Sequence, residues 1–336
     1  MTSVRDSASI SMFRKAYSLL GFVALVVIAT MGLAVVRKYS DGDPLSSTSS
    51  GGPGSAGSET SAVPPIVEIR DSLLGESRAL RFATLTSEEA LRVPGFLKAY
   101  GEAAIRQPAV HTIVRPDSIP FALVVVRPFS AKQGERIGAY RLGRWPAERW
   151  LMSRNYYNPD GFVEVTPDNA MLPLSAHFVL GDFVTHDQKD VWPKYVVLES
   201  KLIDKLELVM QALQRRGYRA DRAVVLSGFR APYYNDRGTA EGMARASRHQ
   251  YGDAADVLID NDGDGRMDDL NGDGRVDLAD VGLISVAVAE VERAHPSLVG
   301  GLGTYTAMGP SGPFAHVDVR GTSARWESGW WKRGKG

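Results

Sequence analysis

From Ala16 to Val36 the chain reads AYSLLGFVALVVIATMGLAVV, without a single charge. A helix needs about 20 such residues to cross the hydrocarbon layer of a bilayer. Arg14 and Lys15 precede the run, and Arg37 and Lys38 follow it. A cleaved leader has a shorter apolar stretch and a small-residue cleavage site; this run is longer, and no convincing site follows it. The expectation is an uncleaved single-pass anchor at 16–36. The short tail 1–15 carries Arg5, Arg14 and Lys15, which favours its staying in the cytoplasm. The rest of the chain is then expected outside the cytoplasm, in the periplasm of a cell with an inner membrane.

Residues 39–65, YSDGDPLSSTSSGGPGSAGSETSAVPP, are rich in Gly, Ser, Pro and Thr. They hold too little apolar surface to offset the entropy of ordering, so they read as a flexible linker. An anchor followed by a tether predicts a head that works near the membrane.

The chain has 336 residues, of which 44% are apolar, enough for about two domains with a sizeable core. Lys+Arg and Asp+Glu both number 39, so no cation excess exists to neutralise phosphates, and nucleic acid is not an expected partner. Without cysteine, no disulfide forms, and a metal site must use His, Asp, Glu or backbone oxygens.

Residues 66–166 read as a small β-rich domain. PIVEIRD, FALVVVRPF (Phe121–Phe129) and GFVEVTP are its strand-like runs. From 167 to 330 helix and strand signals mix. Leu198, Leu202, Leu206, Val209 and Leu213 recur at helical spacing before Gly217. RAVVLSGFR, AADVLID and FAHVDVR read as strands, and LADVGLISVAVAEVERAHP as a helix ended by Pro296. No regular βαβ repeat appears, so the fold class is α+β, a small antiparallel sheet with flanking helices.

SRHQYGDAADV holds His249 and Asp256, and HVD holds His316 and Asp318, which share one face of a strand. A catalytic zinc takes three protein ligands and keeps one position open. Taken singly, each of these residues is as readily a surface histidine or a turn aspartate. Together, SGFRAPYYN, SRHQYGDAADV and the final HVDVRG…RW resemble the zinc D-alanyl-D-alanine carboxypeptidase family, over roughly Phe178 to Trp326. The resemblance implies a zinc peptidase acting on peptidoglycan stem peptides. It implies His249 and Asp256 as zinc ligands and Arg230 on a substrate carboxylate or the developing oxyanion. Ser247 and Tyr234, from the same motifs, are expected at the substrate. Family members ending in H-x-H use the second histidine as a ligand, whereas this chain has Asp318 there. Either His316 binds zinc and Asp318 is the base or a supporting group, or the roles are exchanged. A site with two histidines and one aspartate carries less negative charge and favours acidifying zinc-bound water, so His316 is preferred as ligand and Asp318 as the group handling protons. His177 and His186 match no ligand spacing and read as structural.

Between the motifs lies an insertion at 260–281, DNDGDGRMDDLNGDGRVDLADV. Asp269, Asn271, Asp273, Asp277 and Asp280 fall at positions 1, 3, 5, 9 and 12 of a calcium loop, with Gly274 at the turn. The loop ends on Asp instead of the usual Glu and resembles the short calcium loops of dockerin repeats. Asp260, Asp262, Asp264 and Asp268 repeat the theme just before it. Such a series repels itself without a cation, so Ca2+ is expected beside Zn2+. The alternative to an enzyme is a non-catalytic head on the same fold, binding cell wall or acting as a calcium-dependent interaction module.

Overall fold

The computed structural model describes residues 70–327, apart from 71, 115–118, 150–155, 242 and 307–308. The expected tail, anchor and linker lie outside the described residues, as does most of PIVEIRD. Among the described residues no helix is long and apolar enough to cross a membrane.

The first part of the chain is β1 (Phe82–Leu85), α1 (Ser87–Arg92), α2 (Phe96–Tyr100), α3 (Ala103–Arg106), β2 (Ala109–Ile113) and β3 (Phe121–Val125). The strands form a sheet in the order β1-β3-β2, parallel between β1 and β3 and antiparallel between β3 and β2. The run FALVV is apolar throughout because both faces of β3 are covered. Ala122 and Val124 join the main core with Phe82, while Leu123 and Val125 join a second core with Leu85, Ala90, Phe96 and Ala104. Thr86 and Glu89 start α1 with reciprocal side-chain-to-backbone bonds of 3.1 and 2.7 Å, a capping box. The segment expected to be β-rich therefore carries three short helices on one face of its sheet.

The chain continues with β4 (Arg127–Pro128), β5 (Arg136–Ile137), β6 (Tyr140–Arg141), α4 (Pro146–Arg149), β7 (Gly161–Val165) and β8 (Lys194–Val196). β7 lies between β4 and β8. Its pairing with β8 ties the expected first domain to residues beyond 166, and the described residues make one compact unit.

The remainder is α5 (Ser200–Arg215), β9 (Ala223–Ser227), α6 (Pro232–Gly238), β10 (Ala254–Ile259), α7 (Leu278–Ala294), β11 (Gly301–Tyr305), β12 (Phe314–Asp318) and β13 (Ala324–Glu327). The five strands form one sheet in the order β13-β11-β12-β10-β9. All its pairings are antiparallel except β11 with β13. The α+β class follows. α5 buries Leu202, Leu206, Val209 and Leu213, the residues at helical spacing, and packs against α7. Val281, Ile284, Val288 and Val291 of α7 share a core with Ala315 and Val317 of β12. Strand residues alternate faces, so His316 and Asp318 point away from the helices.

Candidate metal centre

One transverse row of the five-stranded sheet carries the site. Ser227 of β9 is paired with Asp256 of β10, Asp256 with His316 of β12, His316 with Gly303 of β11, and Gly303 with Trp326 of β13. Directly paired residues point to the same face, with their side chains a few ångströms apart. The β9–β10 register slips between Asp256 and Val257. A bulge of this kind re-aims side chains beside it.

His249 comes from outside the sheet, on a 3-10 turn (Arg248–Tyr251) that Ser247 opens and Gly252 closes. Gly252 has φ +66°, and a Cβ there would lie 2.1 Å from the carbonyl oxygen of Val197. No other residue type fits, which explains the glycine of the motif. The backbone amide of Arg230 donates to the His249 carbonyl at 3.0 Å, and the indole of Trp145 donates to that of Gln250 at 2.8 Å. Both hold the turn over the row.

The three side chains meet. His249 Nε2 lies 3.1 Å from His316 Nδ1 and 3.2 Å from Asp256 Oδ1, and His316 Nδ1 lies 2.9 Å from the same oxygen. The other ring nitrogens fix the tautomers. His249 Nδ1 faces the Gly228 carbonyl at 2.7 Å, and His316 Nε2 faces Asp318 Oδ2 at 3.1 Å. Both partners are acceptors, so both of those nitrogens carry the proton. His249 Nε2 and His316 Nδ1 therefore present lone pairs to each other and to a carboxylate oxygen. Three acceptors converging in a buried place call for positive charge, which a metal ion would supply, as would a proton on His316, where the bonds and charges of Asp256 and Asp318 outweigh burial and raise the pKa. A tetrahedral ion bound at about 2.0–2.1 Å sets its ligands about 3.3 Å apart, so edges near 3 Å fit one with little movement. Two nitrogens and one oxygen are a donor set suited to zinc. Burial pushes His249 down, towards the neutral form that ligates. Burial opposes ionisation of Asp256, but its contacts with His249 and His316 outweigh that, and its carboxyl stays well below the usual range.

Asp318 meets His316 at the ring nitrogen opposite the one that faces His249 and Asp256. Its Oδ2 faces the outer nitrogen of His316, its Oδ1 accepts from the Gly301 amide at 2.6 Å, and Arg320 Nε donates to both oxygens at 2.9 Å. It is fully buried. Burial raises its pKa, but the bonds from His316 and Arg320 outweigh that and hold the carboxyl well below the usual range. Asp318 thus stands behind the His316 ring and orients it. Arg230 donates from Nε to Ser227 Oγ at 2.7 Å and pairs through Nη2 with Asp256 Oδ2. It braces Asp256. Ser247 is buried at the start of the turn, and Tyr234 lies half-buried on α6 with Arg237 over its ring. Neither is in the metal cluster. His177 pairs with Glu207, and His186 with the Leu226 carbonyl.

Ser227, Gly303, Tyr305 and Trp326 had no assigned role in the sequence. The Trp326 ring lies 5.1 Å from that of His316, and its Nε1 donates to the Tyr305 hydroxyl at 2.8 Å. A Cβ on Gly303 would come within 2.3 Å of that nitrogen, so the glycine lets the indole reach across β11. Spacing alone cannot show this, because Trp326 and His316 are brought together by β11 between them.

The chain matches no family model and no curated protein. It is similar to a solved structure, the L-Ala D-Glu endopeptidase ChiX of Serratia marcescens. The two are 18% identical, over 37% of this chain and 82% of that chain, with a TM-score of 0.24.

The insertion folds as two copies of one loop. Asp260 Oδ1 accepts from the Gly263 and Asp264 amides and its Oδ2 from Gly265. Asp269 does the same with Gly272, Asp273 and Gly274. Asp262 and Asn271 accept from Asp264 and Asp273, and those two accept from Arg266 and Arg275. Carboxylate oxygens of Asp260, Asp262 and Asp268 lie within 4.8 Å of one another. In the second copy, Asp277 and Asp280 cap α7 with reciprocal bonds, and Asp280 also accepts from Leu270 and Asn271. The sequence theme is thus a structural repeat that ends as a helix cap.

Proposed function

We propose that this chain is a zinc peptidase that hydrolyses amide bonds in peptidoglycan stem peptides. The observation that carries the reading is the trio of inward acceptors, His249 Nε2, Asp256 Oδ1 and His316 Nδ1, set in the quoted motifs at edges near 3 Å. When bound, zinc supplies a Lewis acid that polarises the amide carbonyl and activates water near neutral pH. Asp318 keeps His316 in the ligating tautomer. Arg230 spends Nε and Nη2 on Ser227 and Asp256, which leaves Nη1 for a substrate carboxylate or the tetrahedral oxyanion. Tyr305 accepts from Trp326, so its own proton is available to a substrate oxygen. Burial pushes its pKa up, so it acts as a donor and not as a base. The test is digestion of purified peptidoglycan with zinc-loaded protein, followed by mass analysis of the soluble products. Stem-peptide fragments are expected with zinc and none after chelation. Intact polymer in both cases would leave a binding head and no enzyme.

Residues 16–36 anchor the protein in the membrane, with the head outside the cytoplasm; the uncharged run and the linker support this. Full-length protein is expected in the membrane fraction, with the head open to added protease in cells made permeable on the outer side. Recovery of a shortened soluble form alone would show a cleaved leader.

The twin loops at 260–281 bind calcium, and the repeated Asp/Asn/Asp pattern supports this. Calcium is expected to raise the melting temperature of the calcium-depleted protein by several degrees, and Asp273→Ala to shrink the gain. Equal melting with and without calcium would remove the proposal.

A further inference from the structure

A cleft of about 380 Å³ is lined by residues of β1, the start of α5 and the turn that carries His249. None of the three metal-cluster residues lines it. Both signs of charge are present, and they are interleaved. Arg248 pairs with Asp253. Burial pushes the Glu199 carboxyl up, and the charges of Asp253 and Asp160 add to this, while those of Lys201 and Arg248 pull it down. Burial likewise pushes Asp253 up, Arg248 and Arg320 oppose this, and Asp318 adds to it. A ligand with a net charge of either sign would therefore meet its like in this lining, which is costly. A hydroxyl fits it, because it donates to a carboxylate and accepts from an ammonium group. The side chains of Glu199, Asp160 and Lys201 make no hydrogen bond or ion pair among the described residues, so all three are open to a ligand.

Two tyrosines of the lining add a further requirement. Tyr251 is 5% exposed, and its hydroxyl has no hydrogen-bond partner among the described residues. A buried hydroxyl without a partner is unusual in a folded protein and asks for one. Its ring is fixed by Tyr156, 5.7 Å away centroid to centroid, and by the Arg248 guanidinium, 4.7 Å from its centroid. Tyr157 is 58% exposed and offers a flat apolar face beside the polar groups. The ligand that matches is neutral, carries many groups that both donate and accept, and has an apolar face. A pyranose ring has hydroxyls around its edge and C–H bonds on its faces.

We propose that this cleft binds a neutral sugar of one or two rings, with hydroxyls on Glu199, Asp160 and Lys201, a polar group on the Tyr251 hydroxyl, and a ring face against Tyr157. The volume is at the small end of ligand pockets and suits a ligand of that size. Neither the metal nor peptidase activity enters into this binding, so the sugar is held whether or not the metal centre cuts peptides.

N,N′-Diacetylchitobiose, a neutral disaccharide without a peptide to cut, is the probe. Titration calorimetry on the full chain, with and without zinc, is expected to show binding in both forms. Chitobiose, the same skeleton with two ammonium groups, and cellobiuronate, a disaccharide with one carboxylate, should both bind several-fold more weakly. Tyr157→Ala should weaken the neutral probe several-fold, to about tenfold, as an aromatic contact is lost. Tyr251→Phe should weaken it several-fold without lowering the melting temperature, since the hydroxyl has no partner to lose. No binding of the neutral probe, or tighter binding of either charged sugar, would overturn the proposal. Binding that both tyrosine variants leave unchanged would place the sugar elsewhere on the protein and overturn it too. A Tyr251→Phe protein that melts lower and binds unchanged would also refute it, as the hydroxyl would then serve the fold.

Discussion

His249→Ala and His316→Ala are each expected to empty the metal site and abolish the release of peptidoglycan fragments. Each removes one of three donors that meet at edges of 2.9–3.2 Å. With two donors left, affinity falls by orders of magnitude, since a structural or catalytic zinc takes at least three protein ligands. Asp318→Asn is expected to act differently. The carboxylate faces the proton on His316 Nε2 and holds the ring with Nδ1 inward. An amide in its place can present its nitrogen to that atom, which favours the tautomer with the proton on Nδ1, the wrong side for a ligand. Partners of this kind typically contribute 10–100-fold to metal affinity or activity, so zinc affinity should fall by about that factor and be rescued by excess zinc. Competition with a chelator of known strength measures it. An Asp318→Asn protein with native zinc affinity and no activity would return Asp318 to the chemistry itself and remove it from the supporting role. Acid should weaken zinc binding in every variant that retains it, because both imidazoles must be unprotonated to ligate.

The parts of this site that lie close in the chain were legible in the sequence, and the parts joined only by strand pairing were not. His249 and Asp256 sit on one turn and the strand that leaves it, with Gly252 between them in a conformation that admits no side chain. His316 and Asp318 alternate on one strand, so their shared face was predictable. Which of the two joins His249 and Asp256 was not, because Gly301 and Arg320 claim Asp318 through contacts that depend on how β11 lies against β12. The register that lines up Ser227, Asp256, His316, Gly303 and Trp326 has the same origin: a slip of one residue would turn each side chain to the other face. The helices α5 and α7 were read from their apolar spacing and stop signals. α1, α2 and α3 were missed because they are only 4–6 residues long, too short for a helical period to show. Their helicity comes from Thr86 capping and from packing Ala90, Phe96 and Ala104 on the small sheet.

Lys205→Met is expected to destabilise the protein by about 3–5 kcal/mol, the usual cost of breaking a buried ion pair from one side. Lys205 is a charged residue on the apolar side of α5, wholly buried. Its ammonium donates to Glu292 Oε1 on α7 and to the carbonyl of Asp318 on β12, each at 2.7 Å. It therefore joins two helices to the strand that carries His316. Burial pulls its pKa below the usual lysine range, and the bond to Glu292 opposes this without cancelling it. Methionine keeps the length and removes both donors. Glu292 is then left with the Gly300 amide and Arg325, and the Asp318 carbonyl loses its side-chain donor. Because much of the cost comes from the carboxylate left behind, Glu292→Gln added to Lys205→Met should recover part of the loss, whereas two independent sites would add. Urea unfolding of the single and double variants measures both terms. A Lys205→Met protein within about 0.5 kcal/mol of the parent would mean that the ammonium and its partners gain nothing from each other beyond their desolvation, a balance known for some buried pairs. The fold would then be held at this point by the packing of Leu202, Leu206 and Val209 alone. If the loss is large, the same contact fixes the end of β12, and zinc affinity measured well below the melting temperature should fall with it, though by less than in Asp318→Asn, where the bond to the ligand ring is changed directly.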